Sequence, residues 1–400
     1  MANINLYVGE FLVSPIPLEI SLNYCSHKCA YCFSNLNNPD RKGNVSPILN
    51  LLKDLPNRKG IVPELLRQKY PVLLSNNCDP FSTTNYKQFL KIIELLTQLN
   101  IPIAYQTKGG KGIDELLSIT PRSCFYISFS YLDDSIRAKI EPGAPSIPDR
   151  LKLVEKLINA GHHVSLGLNP IVQSWSPEPE KLLSALYERG VRNVWIEHLH
   201  LSYRQRDRMS ERERRNLTES VIADAMKKKL DLTSSSFINK TESVAETMGY
   251  NVFSVNRPYK TYYWDVYKEI YPKLFPTNQD FVNHMFAQKQ DRIIFHYEDY
   301  KDYFANALPK GVYSLTSYLA TVDRALFRRY KIPSQLSYEN ILKILWQTPT
   351  IKKSIFNNQL FSYAATKEND DIIEFTDHTG MRIGVFDKSL TNNYYTIIEE

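Results

Sequence analysis

The sequence has few cysteines, and this scarcity excludes a disulfide-stapled fold. Five of its 400 residues are cysteine, whereas disulfide frameworks belong to short, cysteine-dense, secreted domains. No apolar run is long enough to span a bilayer. Residues 1–15 also lack the basic and apolar segments of a signal sequence. We therefore expect a cytoplasmic protein whose thiols stay reduced.

The chain also lacks a strong excess of either charge. Its formal net charge is +6, which is compatible with a nucleic-acid or phosphorylated partner but does not require one. A hydrophobic fraction of 43% is ample for substantial cores and excludes a disordered chain. Composition therefore leaves the chemistry to individual motifs.

Three of the cysteines lie within eight residues of one another. Cys25, Cys29 and Cys32 form a C-x3-C-x2-C motif with Tyr31 before the third thiol, directly after the strand-like segment 18–22. Thiolates bind zinc and iron-sulfur clusters alike. The lack of a nearby fourth cysteine disfavours a closed zinc site and leaves one iron of a cubic cluster open. A zinc knuckle that uses His27 remains an alternative.

This motif resembles the signature of the radical S-adenosylmethionine (radical SAM) superfamily. The resemblance implies two cofactors, a 4Fe-4S cluster on the three cysteines and S-adenosyl-L-methionine (SAM) on the open iron. It also implies a reducing electron donor of the flavodoxin or ferredoxin type. Reductive cleavage of SAM then gives a 5′-deoxyadenosyl radical that removes a hydrogen from the substrate.

Strands alternate with helices over residues 15–205, which predicts a partial, TIM-like (β/α)6 barrel. The predicted helices are 48–67, 86–99, 148–160, closed by Gly161, and 177–189, closed by Gly190. The predicted strands are 18–22, 71–75, 101–105, 124–130, 164–169 and 194–199. Because functional groups of such barrels lie at the carboxyl ends of strands, we expect the polar strand ends to face one cavity.

Strings at these strand ends resemble the spore photoproduct lyase-like, or DNA photolyase-like, branch of radical SAM proteins over residues 15–200. They are Asp79-Pro80-Phe81, Thr107-Lys108, Ser128-Phe129-Ser130, Glu141–Pro145 followed by Arg150-Leu151, and Asn169-Pro170-Ile171. In spore photoproduct lyases, a further cysteine near the end of the second strand returns a hydrogen atom to the substrate radical. This chain has Asn76 at the matching position. Cys78, displaced by two residues on the same strand face, is therefore the candidate catalytic donor.

Four further residues join Asn76 as candidates for SAM binding. Lys108 is the candidate anchor for the SAM carboxylate, because a buried carboxylate gains from a cation. Ser128 or Ser130 is expected to hydrogen-bond the ribose or amino acid portion, and Tyr31 to lie against the adenine. The ordinary alternatives are a solvated lysine, strand-end hydroxyls that satisfy backbone groups, and a core tyrosine.

Two further features limit the metal chemistry. Cys124 begins its strand at the opposite end of the barrel, so we expect it to be structural. No cysteine follows it, which excludes a cysteine-ligated auxiliary cluster in residues 125–400. His198 and His200 alternate on the last strand, and we expect them to pack or to touch substrate rather than to hold a second metal.

The second half of the chain reads differently. The charged stretch 204–215 predicts a solvated helix or linker between the barrel, residues 15–205, and a mainly helical domain, residues 206–400. Residues 1–14 form an N-terminal strand or extension. The predicted C-terminal helices are 217–230, 262–274, 279–287, 315–330 and 338–346, followed by a terminal hairpin of residues 372–375 and 381–386.

Aromatic and basic residues interleave within residues 257–271, where they favour either base stacking or packing against the barrel. The tentative substrate residues are Tyr263, Trp264, Arg324 and Arg328. The leading hypothesis is an enzyme that repairs or modifies a nucleic-acid base or nucleotide. The alternatives are a radical SAM enzyme acting on a small metabolite or protein side chain, and a noncatalytic iron-sulfur protein that binds nucleic acid or senses redox state.

Overall fold

The structure of the protein is a computed structural model. None of its described helices combines the length and the apolarity that crossing a bilayer requires. The predicted helix 315–330 lies outside the described residues, and 338–346 does so almost entirely. The described residues are 2–3, 6–8, 14–21, 24–37, 43–74, 77–230, 236–254, 265–278, 280–281, 284–285, 294–295, 297–307, 342, 346, 366–368, 372–376 and 382–387.

The strands of the described residues form three sheets. The strands are β1 (Ala2–Asn3), β2 (Tyr7–Val8), β3 (Leu18–Ile20), β4 (Gly43–Asn44), β5 (Val72–Leu74), β6 (Ile103–Thr107), β7 (Cys124–Ser128), β8 (His163–Ile171), β9 (Asn193–His198), β10 (Asn251–Ser254), β11 (Ile294–Phe295), β12 (Thr366–Glu368), β13 (Ile372–Thr376) and β14 (Arg382–Asp387). The largest sheet has the order β10-β9-β8-β7-β6-β5-β3-β2.

Helices connect the strands of the large sheet and continue after it. They are α1 (Phe33–Asn37), α2 (Ser46–Lys53), α3 (Ile61–Arg67), α4 (Tyr86–Gln98), α5 (Ile113–Ile119), α6 (Asp134–Ile140), α7 (Ile147–Asn159), α8 (Pro179–Tyr187), α9 (Tyr203–Arg208), α10 (Glu211–Leu217), α11 (Glu219–Leu230), α12 (Ser236–Thr247), α13 (Asp265–Lys268) and α14 (Tyr297–Ala307).

The six predicted strands, β3 and β5 to β9, are neighbours in the predicted order and all parallel. The α/β architecture of a partial TIM-like barrel is therefore confirmed. The sheet also extends past both ends of the predicted barrel segment, because β2 pairs antiparallel with β3 and β10 pairs parallel with β9. The predicted terminal hairpin is present as β13 and β14, within a four-stranded sheet that adds β11 and β12.

Proline and glycine explain where two predicted helices differ from the observed ones. The predicted helix 48–67 is split into α2 and α3 around Pro56 and Gly60, whose φ is 119°. The predicted helix 262–274 ends at Lys268, because the residue before Pro272 is driven out of the helical region. Gly161 and Gly190 end their helices at positive φ, as predicted.

The two faces of the large sheet are covered differently. The convex face packs against the helices through a large apolar core; α4, for example, contributes the fully buried Phe89, Ile92 and Leu96. The amino half of the concave face is filled by residues 265–275, whose Tyr271 donates a hydrogen bond to the Ile103 carbonyl at 2.7 Å. The carboxyl half of the concave face is left open.

Candidate functional site

A cavity of about 540 Å³ occupies the open half of the concave face. Its walls come from the ends of six parallel strands, since Cys25 follows β3, Cys78 follows β5 and His198 ends β9. Strands at opposite sides of the order reach one cavity only if the sheet curves around it. The expectation that the polar strand ends share one cavity is confirmed.

The three cysteines of the motif form one wall of this cavity. Cys25 and Cys29 are buried, Cys32 is half-buried, and none of the five cysteines of the chain forms a disulfide. Burial, with a smaller contribution from Asp79, raises the pKa of Cys25 to about 12. Burial also raises the pKa of Cys29 and Cys32. Burial therefore favours the protonated form of these thiols, and any metal that bound them as thiolates would have to displace the protons.

Three thiols on one loop suit an iron-sulfur cluster, in which each thiolate binds a different iron. Among the described residues, no group of three Cys, His, Asp or Glu side chains is placed to hold a single metal ion. His27 does not join the thiols as a zinc ligand, because both of its ring nitrogens face protein acceptors.

His27 ties the cysteine loop to two other loops. Its Nδ1 lies 3.0 Å from the Gly143 carbonyl oxygen, and its Nε2 lies 3.1 Å from the Gly109 carbonyl oxygen and 3.3 Å from Asp79 Oδ2. Carbonyls and carboxylates only accept hydrogen bonds, so this arrangement is satisfied when both nitrogens carry hydrogen. The buried imidazole thus links the cysteine loop to the loops that contain Gly143, Gly109 and Asp79.

Gly143 allows the cysteine loop to approach closely. A Cβ at Gly143 would stand 2.0 Å from the Ser26 carbonyl oxygen. The Gly143 amide donates to the His27 carbonyl at 2.9 Å, and the Ala30 amide donates to the Ile140 carbonyl at 2.8 Å. Two backbone hydrogen bonds therefore join the cysteine loop to the end of α6, which is why glycine is needed there.

Asp79 joins the ends of β5 and β6 to this assembly. Its Oδ1 accepts hydrogen bonds from the Phe81 amide at 2.9 Å and from the Thr107 hydroxyl at 2.8 Å, and its Oδ2 accepts from the Lys108 amide at 2.5 Å. Burial alone would raise the pKa of this carboxyl. His27 and the amide donors outweigh burial, so the pKa of Asp79 lies below its usual value.

A second buried carboxylate, Glu141, gathers the remaining charges of the site. It is fully buried and accepts hydrogen bonds from Tyr31 and Arg150, while Lys108 Nζ lies 3.1 Å from its Oε1. Burial alone would raise its pKa, but Arg150 and Lys108 hold the pKa well below the usual range. Glu141 is thus ionised. It forms ion pairs with Lys108 and Arg150 and accepts a hydrogen bond from Tyr31.

Lys108, the predicted anchor, lines the cavity beside the cysteines. Its Nζ donates to the Ser128 hydroxyl at 2.5 Å and lies 5.7 Å from the centre of the Tyr31 ring. The side chain is 13% exposed, so it is not a solvated surface lysine. Lys108, Tyr31 and Ser128 are brought together on one wall.

The other predicted candidates have different placements. Cys78 is 8% exposed and lines the same cavity as Cys25, whereas Asn76 lies outside the described residues. Ser130 lies beyond the end of β7, does not line the cavity, and its buried hydroxyl has no hydrogen-bond partner among the described residues. Cys124 lies at the amino end, where its amide donates to the Tyr271 hydroxyl at 2.9 Å, as expected of a structural cysteine.

The tentative substrate residues Tyr263, Trp264, Arg324 and Arg328 lie outside the described residues. The described remainder of the interleaved stretch is packed: Tyr267 and Tyr271 are buried against the sheet. This placement agrees with packing rather than base stacking for these two residues.

His198 and His200 both line the cavity. His200 Nδ1 lies 3.5 Å from Glu197 Oε1, and the same carboxylate accepts hydrogen bonds from Asn169 and Trp195, each at 3.0 Å. The hydrogen bonds from Asn169 and Trp195 hold the Glu197 carboxylate in place. Both histidines therefore form part of the cavity wall.

The contacts that support the cysteine loop were not predicted from the sequence. Glu141, Arg150 and Asp79 appear in the strings that carried the resemblance, but no role was predicted for them. Asn35 was missed altogether, although its side chain accepts from the Cys25 amide at 3.3 Å and donates to the Cys25 carbonyl at 3.2 Å. Its position three residues after Cys32 is a local signal that could have identified it.

No protein-family model matches the chain, and no curated protein matches its sequence. Some solved structures do resemble it. "Spore photoproduct lyase complexed with dinucleoside spore photoproduct" has 18% identity and a TM-score of 0.39, and the match covers 52% of this chain and 63% of that one. A double mutant of spore photoproduct lyase "with bound AdoMet and dinucleoside spore photoproduct" has 16% identity and a TM-score of 0.41, over 62% and 75% of the two chains.

A third similar structure is a domain of pyruvate-formate lyase-activating enzyme from Bacteroides vulgatus. It has 12% identity and a TM-score of 0.29, over 42% of this chain and 89% of that one. Because these identities and scores are low, the function proposed below rests on the residues of this chain. Spore photoproduct lyase stands among the solved structures that the chain resembles, as the strings at the strand ends predicted.

Proposed function

We propose that the protein is a radical SAM enzyme. The observation that carries this proposal is the loop of Cys25, Cys29 and Cys32, which is fixed at a strand end beside a partly buried cation, in the wall of an open cavity. When bound, a 4Fe-4S cluster on these thiolates, reduced by a flavodoxin- or ferredoxin-type donor, supplies the electron that cleaves SAM to a 5′-deoxyadenosyl radical.

The surrounding residues bind and orient the cofactor. Lys108 presents its ammonium group to the cavity and anchors the SAM carboxylate through a charge-assisted hydrogen bond. Glu141 keeps that ammonium in place and balances its charge, so the anchor is positioned before SAM arrives. The Ser128 hydroxyl accepts a hydrogen bond from the Lys108 ammonium group. The same hydroxyl can hydrogen-bond the amino acid portion or the ribose of SAM.

Tyr31 is held at two points, by its hydroxyl on Glu141 and by its ring 5.9 Å from the ring of Trp175. This fixes a flat aromatic surface in the cavity wall next to the cysteines. We propose that the adenine of SAM lies against it, since offset aromatic contacts are favourable. Preorganisation of this kind reduces the entropy lost when SAM binds.

We propose that the Cys78 S–H bond gives its hydrogen atom to the substrate radical, which forms a C–H bond and leaves the unpaired electron on the Cys78 sulfur. Its thiol lines the cavity with the three cluster cysteines but lies on a different strand end. In Cys78→Ala, SAM cleavage should continue while the substrate radical goes to other products. An unchanged product distribution would return Cys78 to the role of a core thiol.

We propose a nucleic-acid base or nucleotide as the substrate, with repair or modification as the outcome. The cavity supports this through polar groups that suit base edges: Gln106, Asn77, His198 and His200 line it together with the cofactor residues. Such mixed walls of aromatic and hydrogen-bonding groups are typical of sites that read an extruded base. Deoxynucleoside and ribonucleoside substrates are to be compared for product formation.

The decisive experiment is anaerobic reconstitution with iron and sulfide, followed by reduction in the presence of SAM. Wild-type protein should carry a 4Fe-4S cluster and form 5′-deoxyadenosine. Cys29→Ala should lose the cluster, because two thiolates do not replace three. Cys124→Ala is the matched control, since it removes a buried thiol at the other end of the sheet and should retain the cluster. If wild-type protein binds four irons but never cleaves SAM, the proposal that it is a radical SAM enzyme is refuted.

A further inference from the structure

The charged helix α9 lies beside the cavity, and the charged helix α10 follows it directly in the chain. Ser202, the N-cap of α9, and Gln205 within it both line the cavity. The helix also contacts α1, which directly follows the cysteine loop, and the Arg208 guanidinium donates to the Leu36 carbonyl at 3.3 Å. The stretch 204–215, expected to be a solvated helix or linker, is therefore attached to the rim of the site.

Two large apolar side chains are exposed at this rim. Phe33 on α1 is 46% exposed and Tyr203 on α9 is 59% exposed, and they are the large hydrophobic residues found exposed among the described side chains. The Arg206 guanidinium lies 5.4 Å from the centre of the Tyr203 ring. An aromatic ring beside a guanidinium at a cavity mouth is a stacking surface that folding alone does not require.

The same helices carry an excess of positive charge. Residues 203–217 contain six arginines against three acidic residues. One acid, Glu213, is used in the cap of α10, and another, Asp207, pairs with Arg206. Arg204, Arg212 and Arg215 are exposed. Planar guanidinium groups suit the paired oxygens of phosphates, so the rim complements a polyanion.

We propose that the rim formed by α9, α10 and Phe33 binds single-stranded nucleic acid. A base stacks on Tyr203, exposed arginines contact the flanking phosphates, and the neighbouring nucleotide enters the cavity. This inference rests on the proposed function in one respect, namely that the cavity is the reaction site. An acidic protein would complement the positive charge of the rim, but it would have no planar group to stack on Tyr203 and Arg206. A nucleic-acid strand provides both negative charge and planar bases, so it fits better.

The test is fluorescence anisotropy of a labelled single-stranded oligonucleotide with the full-length protein, across a salt titration. Tyr203→Ala should weaken binding by roughly 5- to 150-fold, and Tyr203→Trp should restore it because the ring is kept. Arg204→Gln and Arg212→Gln should each lower the slope of log affinity against log salt by about 1. Arg122→Gln, an exposed arginine at the amino end of the sheet, should change neither quantity.

The outcomes separate this interface from the chemistry. Wild-type protein that cleaves SAM but binds no oligonucleotide at low salt would overturn the interface and leave the proposed function standing. Binding that depends on Tyr203 in protein that never cleaves SAM would support the interface and refute the chemistry. Binding that ignores Tyr203 and both arginines would place the strand elsewhere. If the arginine variants instead slow reduction by an acidic flavodoxin without affecting oligonucleotide binding, the rim is a protein docking site and the proposal fails.

Discussion

The two halves of the concave face of the sheet use buried polar groups in opposite ways. In the filled amino half, Tyr271 joins the Cys124 amide to the Ile103 carbonyl through two hydrogen bonds between neutral groups. In the open carboxyl half, Glu141, Arg150 and Asp79 are buried as charges. Buried charge is expensive and adds little net stability over an apolar alternative. Buried charge around the cavity therefore indicates that these side chains hold the cavity residues in fixed positions rather than stabilise the fold.

The largest expected effect concerns Glu141. Glu141→Gln should destabilise the fold by about 3 to 5 kcal/mol, because it leaves the buried Arg150 without its counter-charge. Tyr271→Phe, in the filled half, should cost about 1 to 3 kcal/mol for an unsatisfied buried amide. Urea denaturation of both iron-free variants measures the difference. Equal losses would mean that the two halves are built alike.

Loss of the proposed anchor should be felt in SAM binding. Lys108→Ala should keep the cluster but weaken SAM binding by about 1.5 to 3 kcal/mol, the value of a hydrogen bond to a charged group. Lys111→Ala, an exposed lysine three residues away, should leave SAM affinity unchanged. Calorimetric titration of reconstituted protein with SAM decides. Equal affinities for wild type and Lys108→Ala would remove the anchor role.

Substitutions at Gly143 and Gly161 compare how tightly the backbone is packed in the open and filled halves of the concave face. Gly143→Ala places a methyl group against the Ser26 carbonyl and should displace the cysteine loop, at a cost of about 1 to 3 kcal/mol. Gly161, at the amino end of β8, has a φ of 81° and open space around it. Gly161→Ala should cost about 1 kcal/mol for left-handed backbone alone. Thermal melting and iron retention are the measurements, and only Gly143→Ala should lose iron.

The smallest expected effect concerns pH, namely the order in which buried histidines and buried carboxylates lose their contribution to folding stability as the pH falls. Burial lowers the pKa of His162 and His163 from 6.5, so the unfolded chain binds more protons and their stability is lost as pH falls below about 6.5. Glu141 and Asp79 have pKa values below their usual 4.5 and 3.8, so their stability persists to lower pH and is lost only below about 4.5. His162→Gln should flatten the upper part of a stability-versus-pH curve, and Glu141→Gln the lower part. A single step that neither variant changes would contradict this order.

The sheet was predictable because its strands carry local signals. Each of the six predicted strands overlaps an observed one, since apolar segments bounded by helical patterns suffice. β10 was missed because it is a short edge strand whose pairing depends on a distant partner. β2 lies within the predicted N-terminal strand or extension, but its pairing with β3 was not predicted. The boundaries of α2 and α3 needed Pro56 and Gly60 to be weighed against an otherwise helical pattern.

The site was only partly predictable, for a physical reason. Spacing, strand position and the family resemblance singled out seven residues, and the structure places all of them at one cavity: Cys25, Cys29, Cys32, Cys78, Tyr31, Lys108 and Ser128. Glu141 joins Tyr31, Lys108 and Arg150 across separations in sequence of up to 110 residues. No periodicity or spacing reports such a convergence. The role of the charged stretch 204–215 depends likewise on the contact of α9 with α1.

The support of the cysteine loop has a consequence for maturation. The contacts that fix this loop come from His27, Gly143, Asn35 and backbone amides, and they require no metal. We therefore expect the loop to keep its shape without the proposed cluster, unlike a zinc finger, which folds around its ion. We expect the assembly machinery to deliver iron and sulfide to an already folded chain, and apoprotein purified in air to be rebuilt without refolding.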